Sequence, residues 1–155
     1  MAQRKNISGL EVSAGIGSVL IAHATVDTSV TNSTTHITPT GLFLQPEINA
    51  TYIYTAFIIY SAGTTEDLNW AHTAPTGAAM RWTDPTNSFF ASPSASNVWS
   101  GAGVGYANAR AFSLDGWLKM GATSGFFNGR MAQAVSGANA TVIYLGSWMR
   151  LERVA

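Results

Sequence analysis

The sequence predicts an all-β fold, an antiparallel jelly-roll-like β-sandwich with a short extended N-terminal arm. No window of about a dozen residues combines helical apolar spacing with good helix formers. Gly, Pro, Ser, Thr and Asn interrupt the 155-residue chain at intervals of about eight to twelve residues, which is typical of short antiparallel strands. Between these interruptions the side chains alternate in character, as they do when a strand presents two faces.

Residues 1–16 differ from the rest of the chain and predict the arm. They include a basic pair, and their few hydrophobic side chains stand among glycines and polar residues. Such a segment buries too little apolar surface to offset the entropy of ordering it, about 1 to 2 kcal/mol per residue. We therefore expect the arm to leave the domain that follows it and to contact a neighbouring chain. The expected contact residues are Arg4, Lys5, Ile7 and Leu10.

The domain of residues 17–155 has its strongest predicted strand at residues 51–61. Both alternating sets of side chains in this segment are apolar, so we expect a central strand that is covered on both faces. The other strands predicted in the first half of the chain are residues 18–26, 36–38, 41–44, 67–73 and 78–83.

The composition changes at residues 84–105, which we interpret as a long loop insertion. Gly, Pro and Ser interrupt it repeatedly, yet it keeps Phe89, Phe90 and Trp99. A flexible linker carries few such side chains. We therefore expect an ordered loop that lies on a surface of this chain or of a neighbour.

The last third of the chain again predicts strands. Asp115 and Gly116 stand between two apolar runs and form the strongest local signal for a hairpin turn. The strands predicted here are residues 109–114, 117–120, 125–134, 141–145 and 147–154, so the chain ends in a strand rather than a tail.

The charge content separates classes of partner. Charged residues make up only 10% of the chain and the formal net charge is zero, whereas a nucleic-acid-binding protein masses Lys and Arg against phosphates. Near-zero net charge also gives little repulsion between molecules, which favours a protein that works inside an assembly. We expect no nucleic acid among its partners.

Membrane and secretory segments are not predicted. No apolar run reaches the roughly 18 to 20 residues of a membrane helix, and no signal-peptide core follows the basic N-terminus. The chain has no cysteine, which excludes a disulfide framework and a thiolate metal site. We expect no membrane partner.

The residues that commonly perform chemistry are scattered. His23, His36 and His72 stand in three separate segments with no metal-ligand spacing, and we expect His23 and His72 to be half-buried strand residues with hydrogen bonds. The neighbouring carboxylates at residues 66–67 follow a polar loop and predict a solvated loop end rather than a glycosidase pair. There is no Gly-x-Ser-x-Gly motif. The sequence therefore predicts no catalytic residue, no cofactor and no metal site.

Aromatic residues are the most unusual feature of the composition. Five Trp, five Tyr and seven Phe are more than a core of this size is expected to hide. Exposed aromatic side chains occur in carbohydrate sites and in subunit interfaces, and the low charge favours an interface. A strand that is apolar on both faces needs a second cover, and no helix is predicted to supply it. The predicted interface residues are Tyr52, Tyr54, Tyr60, Phe126 and Trp148.

Three segments together resemble a known class of protein. They are Asn49-Ala-Thr-Tyr, Ser61-Ala-Gly-Thr-Thr-Glu-Asp-Leu and the terminal Leu145-Gly-Ser-Trp-Met-Arg-Leu-Glu-Arg-Val. Over residues 19–154 the chain resembles β-rich virion structural proteins of tailed phages that infect actinobacteria. Such domains occur at the C-terminal end of minor tail or fibre proteins and as small free-standing virion proteins. The resemblance implies a non-enzymatic structural role and a homotrimer.

Two functions follow from this resemblance as expectations. The first is a capsid decoration protein on the outer head surface, with the major capsid protein as its partner and the arm docking by strand addition. A start at Met1 without a preceding shaft favours this hypothesis. The alternative is a receptor- or carbohydrate-binding tail or fibre tip protein with tail proteins as partners, and an enzyme ranks third. In either phage case the protein is made in the host cytoplasm and resides in the virion.

Overall fold

The structure is a computed structural model that describes residues 4–5, 11–12, 15–83, 89–91, 98–103, 105 and 108–155. In these residues there are fourteen β-strands and no α-helix, which confirms the all-β prediction. In chain order the strands are β1 (Arg4–Lys5), β2 (Glu11–Val12), β3 (Val19–His23), β4 (Thr28–Val30), β5 (Phe43–Leu44), β6 (Thr51–Ser61), β7 (Leu68–Thr73), β8 (Ala79–Thr83), β9 (Phe89–Ala91), β10 (Trp99–Gly101), β11 (Arg110–Lys119), β12 (Phe127–Gln133), β13 (Thr141–Ile143) and β14 (Trp148–Arg153).

Eight of these strands form the larger of the two antiparallel sheets that pack against each other. Its order is β3-β14-β6-β11-β8-β9, and β13 pairs with β6 and with β4. β6 lies between β14 and β11, so the prediction of a central strand at residues 51–61 is confirmed in both bounds. β14 pairs with β3 and β6, which confirms that the end of the chain belongs to the sheet.

Four strands form the smaller sheet, in the order β10-β7-β12-β5. The segment at residues 36–38, which the sequence predicts as a strand, contributes only a single bridge between Ile37 and Met131. β1 and β2 pair with each other as a separate two-stranded sheet.

The two sheets pack as a sandwich, which confirms the predicted jelly-roll-like architecture, and their inward side chains form one core. Aromatic rings from both sheets meet edge to face there. The ring centroids of Tyr54 and Phe127 lie 5.4 Å apart, and those of Trp70 and Phe112 lie 6.1 Å apart. The largest fully buried side chains are Trp70, Trp82, Tyr52, Tyr54, Phe127, Leu42, Leu44, Ile58, Leu68, Met80, Leu114 and Leu118.

The predicted hairpin at Asp115 and Gly116 is wrong. β11 runs without interruption from Arg110 to Lys119, and Gly116 pairs with Trp82 on one side and with Tyr54 on the other. A Cβ on Gly116 would collide with the Arg81 carbonyl oxygen and would lie 2.9 Å from Trp82. The glycine thus makes room for a buried indole in a continuous strand, and a local turn signal is overridden by strand pairing.

The predicted insertion at residues 84–105 is described in part. β9 pairs with β8 and β10 pairs with β7, so two of its segments extend the edges of the two sheets. Trp99 packs against the core. The remainder of the insertion, residues 84–88, 92–97 and 104, lies outside the described residues.

In the described part of the chain, no helix has the length and apolarity to cross a membrane.

Candidate interaction surface

The three tyrosines predicted at an interface lie inside the chain's own core, so this assignment is wrong for them. Tyr52, Tyr54 and Tyr60 are 1%, 0% and 3% exposed. Tyr54 contacts Phe127 of the smaller sheet, and the Tyr60 hydroxyl donates a hydrogen bond to the carbonyl oxygen of Ala102 at 3.0 Å. The tyrosine face of β6 already has its cover, because the smaller sheet packs on it.

The opposite face of β6 is the apolar face that the chain leaves open. Ile53 is 46% exposed, and Thr55, Phe57 and Ile59 are half-buried. No second sheet of the described residues packs on this side, since the smaller sheet lies against the tyrosine face. The expectation that β6 is covered on both faces is therefore met on one face alone within the described chain.

Strand register extends this open face across four strands of the larger sheet. Phe57 lies opposite Trp148 of β14, and Ile53 lies opposite Trp117 of β11. Ile21 of β3 is 40% exposed and stands next to Arg150 of β14. We use the term outer face for the surface defined by Ile21, Ile53, Phe57, Trp117 and Trp148.

Charged side chains lie on the outer face between its apolar members. Arg150 and Glu152 form an ion pair at 2.6 Å, with side chains 37% and 40% exposed. Asp115, Lys119 and Arg81 are exposed on the neighbouring strands. Positive and negative charges are therefore interspersed, and a surface of aromatic and aliphatic residues with paired charges is typical of subunit interfaces.

Trp148 and Phe126, the other two predicted interface residues, are accessible but lie on different surfaces. Trp148 belongs to the outer face. Phe126 lies just before β12, and its ring stands edge-on to Phe43 with centroids 5.4 Å apart. These two rings line an open groove of about 440 Å³. The groove is lined by Thr38, Pro39, Thr40, Gly41, Phe43, Phe126 and Asn128.

Of the four predicted arm contacts, the structure describes the backbone of two, Arg4 and Lys5. Arg4 and Lys5 form β1, and their partners in β2 are Val12 and Glu11. Ile7 and Leu10 lie outside the described residues. Contact of these four residues with a neighbouring chain remains a prediction.

The three histidines stay apart in space as they are in sequence, but their burial differs from the expectation. His23 is exposed on β3, opposite Trp148. His36 is partly buried, and burial together with the nearby Arg130 guanidinium lowers its pKa. His72 is fully buried between the sheets, and burial lowers its pKa to about 3. Among the described residues, no group of three His, Asp or Glu side chains could hold a metal ion.

Glu66 corrects the expectation of a solvated loop end. It is only 5% exposed, and its Oε1 accepts hydrogen bonds from the side-chain amide of Asn139 at 3.1 Å and from the Asn139 backbone at 3.4 Å. Gly63 and Gly137 approach the carboxylate so closely that a Cβ on either would collide with it. Asp67 accepts from the backbone amide of Gly103 at 2.6 Å. Both carboxylates therefore hold loops together.

Gln133 is the buried polar residue that the sequence analysis missed. It is fully buried, and its amide joins the turn at residues 137–139 to Ser33 through four hydrogen bonds. The signal in the sequence is a polar residue on the same alternating face as Phe127 and Met131. An inward position of that kind requires hydrogen-bond partners.

Comparisons with known proteins give no family. No family model and no curated protein matches the chain. Among solved structures, the chain is similar to the tripod from the baseplate of bacteriophage Tuc2009, with 11% identity, 99% of this chain and 78% of that chain covered, and a TM-score of 0.35. It is also similar to infectious bursal disease virus of the Gt strain, with 10% identity, 94% and 39% coverage, and a TM-score of 0.32. At these TM-scores the similarity is too low to establish a shared fold.

Proposed function

We propose that this chain is a non-enzymatic phage virion structural protein, most concretely a decoration protein on the outer head surface, and that it assembles as a homotrimer. The outer face is the observation that carries the proposal. It places two tryptophans, a phenylalanine and two exposed isoleucines on one side of a sheet, and large apolar patches of this kind mark contact sites. We infer that a neighbouring copy covers it.

The outer face also contains the most specific part of the sequence resemblance. Trp148, Arg150 and Glu152 all belong to the terminal segment at residues 145–154 that resembles β-rich virion proteins. Their outward alternation on β14 puts the aromatic ring and the ion pair on the same face. The threefold state is taken from that resemblance, since the outer face by itself fits any closed symmetry.

The charge of the outer face suits contact with an identical copy. The ion pair of Arg150 and Glu152 is already neutral, and Asp115 and Arg81 offer one charge of each sign. Lys119, exposed on the same side of β11 as Trp117, leaves an excess of one positive charge, so a second copy meets little like charge. Low net charge of the whole chain removes long-range repulsion as well.

The proposed partner beyond the trimer is the major capsid protein, contacted by the arm of residues 1–16. Deleting residues 2–14 is expected to leave a trimer with the circular dichroism spectrum of the full chain that no longer attaches to particles. Normal attachment of this folded variant would refute the role of the arm.

Electron cryo-microscopy of phage particles tests the location. Particles that lack the protein are incubated with purified protein and imaged beside untreated particles. Added density on the outer head surface is the expected result. Density at the tail tip alone would refute the decoration function and support the alternative below.

The groove beside Phe43 and Phe126 favours a second candidate, a receptor- or carbohydrate-binding tail protein. Exposed rings beside Thr and Asn side chains are the elements from which sugar sites are built. If this alternative holds, we expect the protein to bind host glycans and Phe126→Ala to abolish that binding. Val135→Ala, at an exposed position elsewhere, is the control and is expected to bind as the unaltered chain does. Absence of glycan binding would exclude this alternative as a carbohydrate-binding protein.

A further inference from the structure

A single imidazole stands at the centre of the contact between the two sheets. His72 of β7 is 1% exposed. Its ring is stacked on Phe127 of β12 at a centroid distance of 5.4 Å and an interplanar angle of 8°, and it stands edge-on to Trp82 of β8 at 4.8 Å. Rings of both sheets thus enclose the imidazole, so any change in its charge acts on the whole sandwich.

Hydrogen bonds fix the protonation state of this ring. The Tyr54 hydroxyl lies 2.8 Å from Nε2 of His72, and Nε1 of Trp70 donates to the same nitrogen at 3.2 Å. An indole N–H only donates, so Nε2 must accept and carries no proton. The Tyr54 hydroxyl therefore also donates to Nε2, and the proton of the neutral ring is on Nδ1.

We propose that His72 is an acid-sensitive lock between the two sheets, closed when Nε2 accepts hydrogen bonds from Tyr54 and Trp70 and opened when Nε2 is protonated. A proton on Nε2 points at the Tyr54 hydroxyl and the Trp70 indole N–H, which had both donated hydrogen bonds to this nitrogen. It also places a positive charge inside an aromatic core. Such a charge is costly unless a partner compensates it. The imidazolium must leave the core to reach water, and the sheets separate as it leaves.

The groups that face His72 offer no compensating charge. They are Trp70 on its own strand, Tyr54 on β6, Trp82 on β8 and Phe127 on β12. Of these only Tyr54 titrates, and burial followed by the Asp115 charge raises its pKa well above 10. Nδ1 has no hydrogen-bond partner among the described residues. Burial accordingly depresses the pKa of His72 to about 3.

The sign of the pH dependence follows from linkage. The unfolded chain binds a proton at His72 below about pH 6.5, whereas the folded chain binds it only near pH 3. Stability is therefore complete above about pH 6.5 and falls as the pH drops towards 3. With these two pKa values, the unfolding equilibrium constant rises about thirty-fold between about pH 7.5 and about pH 5.

Urea denaturation at several pH values between about 7.5 and 5, all at one protein concentration, tests this lock. His72→Gln keeps an acceptor oxygen for Tyr54 and Trp70 but does not titrate, so we expect most of the thirty-fold rise to disappear. His23→Gln, at an exposed position, is expected to keep the full rise. His36→Gln is expected to remove only a smaller part, since the depressed pKa of His36 acts with the same sign.

A second measurement on the unaltered chain covers the case in which His72→Gln does not fold. Nitrogen-15 NMR of the imidazoles is expected to show one histidine that stays neutral, with its proton on Nδ1, from about pH 7.5 to about pH 5. An undiminished pH dependence in His72→Gln would overturn the proposal. So would an NMR titration of His72 near its ordinary pKa in the folded protein.

Discussion

Gln133 joins the loop at Ser33 to the turn at residues 137–139, and a change of one atom in its side chain tests that connection. Its Nε2 donates to the carbonyl oxygens of Gly137 at 3.1 Å and of Asn139 at 2.7 Å. Its Oε1 accepts from the backbone amides of Ser33 at 3.0 Å and of Gly137 at 3.2 Å. All four hydrogen-bonding positions of the amide are therefore in use.

Gln133→Glu preserves the shape of the side chain and removes both donors. The new carboxylate oxygen faces two carbonyl oxygens. Glu66, which accepts hydrogen bonds from the same Asn139, adds a second negative charge at this turn. Two lost hydrogen bonds at about 1 kcal/mol each, together with the cost of buried acceptors left unpaired, give a destabilisation of about 3 to 4 kcal/mol.

Thermal unfolding followed by circular dichroism measures this effect. For a chain of this length we expect the Tm to fall by roughly 10 °C at neutral pH. Gln45→Glu makes the same chemical change at an exposed position and is expected to stay within about 0.5 kcal/mol of the unaltered chain. A Gln133→Glu variant that melts with the Gln45→Glu control would refute the role assigned to Gln133.

Two further substitutions test the packing of the core. Gly116→Ala adds a Cβ that meets the Arg81 carbonyl oxygen and the Trp82 side chain, so we expect urea denaturation to show a loss of about 2 kcal/mol or more. Ser124→Ala, at an exposed loop position away from the outer face, is the control. Tyr54→Asp places a carboxylate at a fully buried position and is expected to abolish the folded circular dichroism spectrum. A variant that keeps the spectrum of the unaltered chain would contradict the placement of Tyr54 in the core.

A strand could be predicted from the sequence where its residue composition and the turn residues at its two ends indicate the same segment. The segment at residues 51–61 is rich in aromatic and β-branched residues and is bounded by polar turns, and the structure places β6 there without a shift. At Asp115 and Gly116 the pair of turn residues predicts a hairpin, but the tertiary structure has a continuous strand. A turn signal is local, whereas the register of β11 with both neighbouring strands depends on residues far away in sequence.

The candidate surface could be predicted only in part, because alternation alone does not tell which face of a strand turns inward. Both faces of β6 are apolar. The larger tyrosine side chains fill the space between the sheets, which leaves Ile53 and Phe57 outside. Glu66 and Gln133 show the same limitation for polar residues. The partner of Glu66 is Asn139, 73 positions further along the chain, and no spacing rule connects them.

The mass of the isolated protein in solution tests the central claim most directly. Light scattering of the unaltered chain is expected to give about three times the monomer mass of 16.4 kDa. Ile53→Asp places a charge in the middle of the outer face and is expected to give a monomer with an unchanged circular dichroism spectrum. Val135→Asp, at an equally exposed position outside that face, is expected to keep the trimer. A monodisperse folded monomer of the unaltered chain, or a trimer that survives Ile53→Asp, would contradict the account.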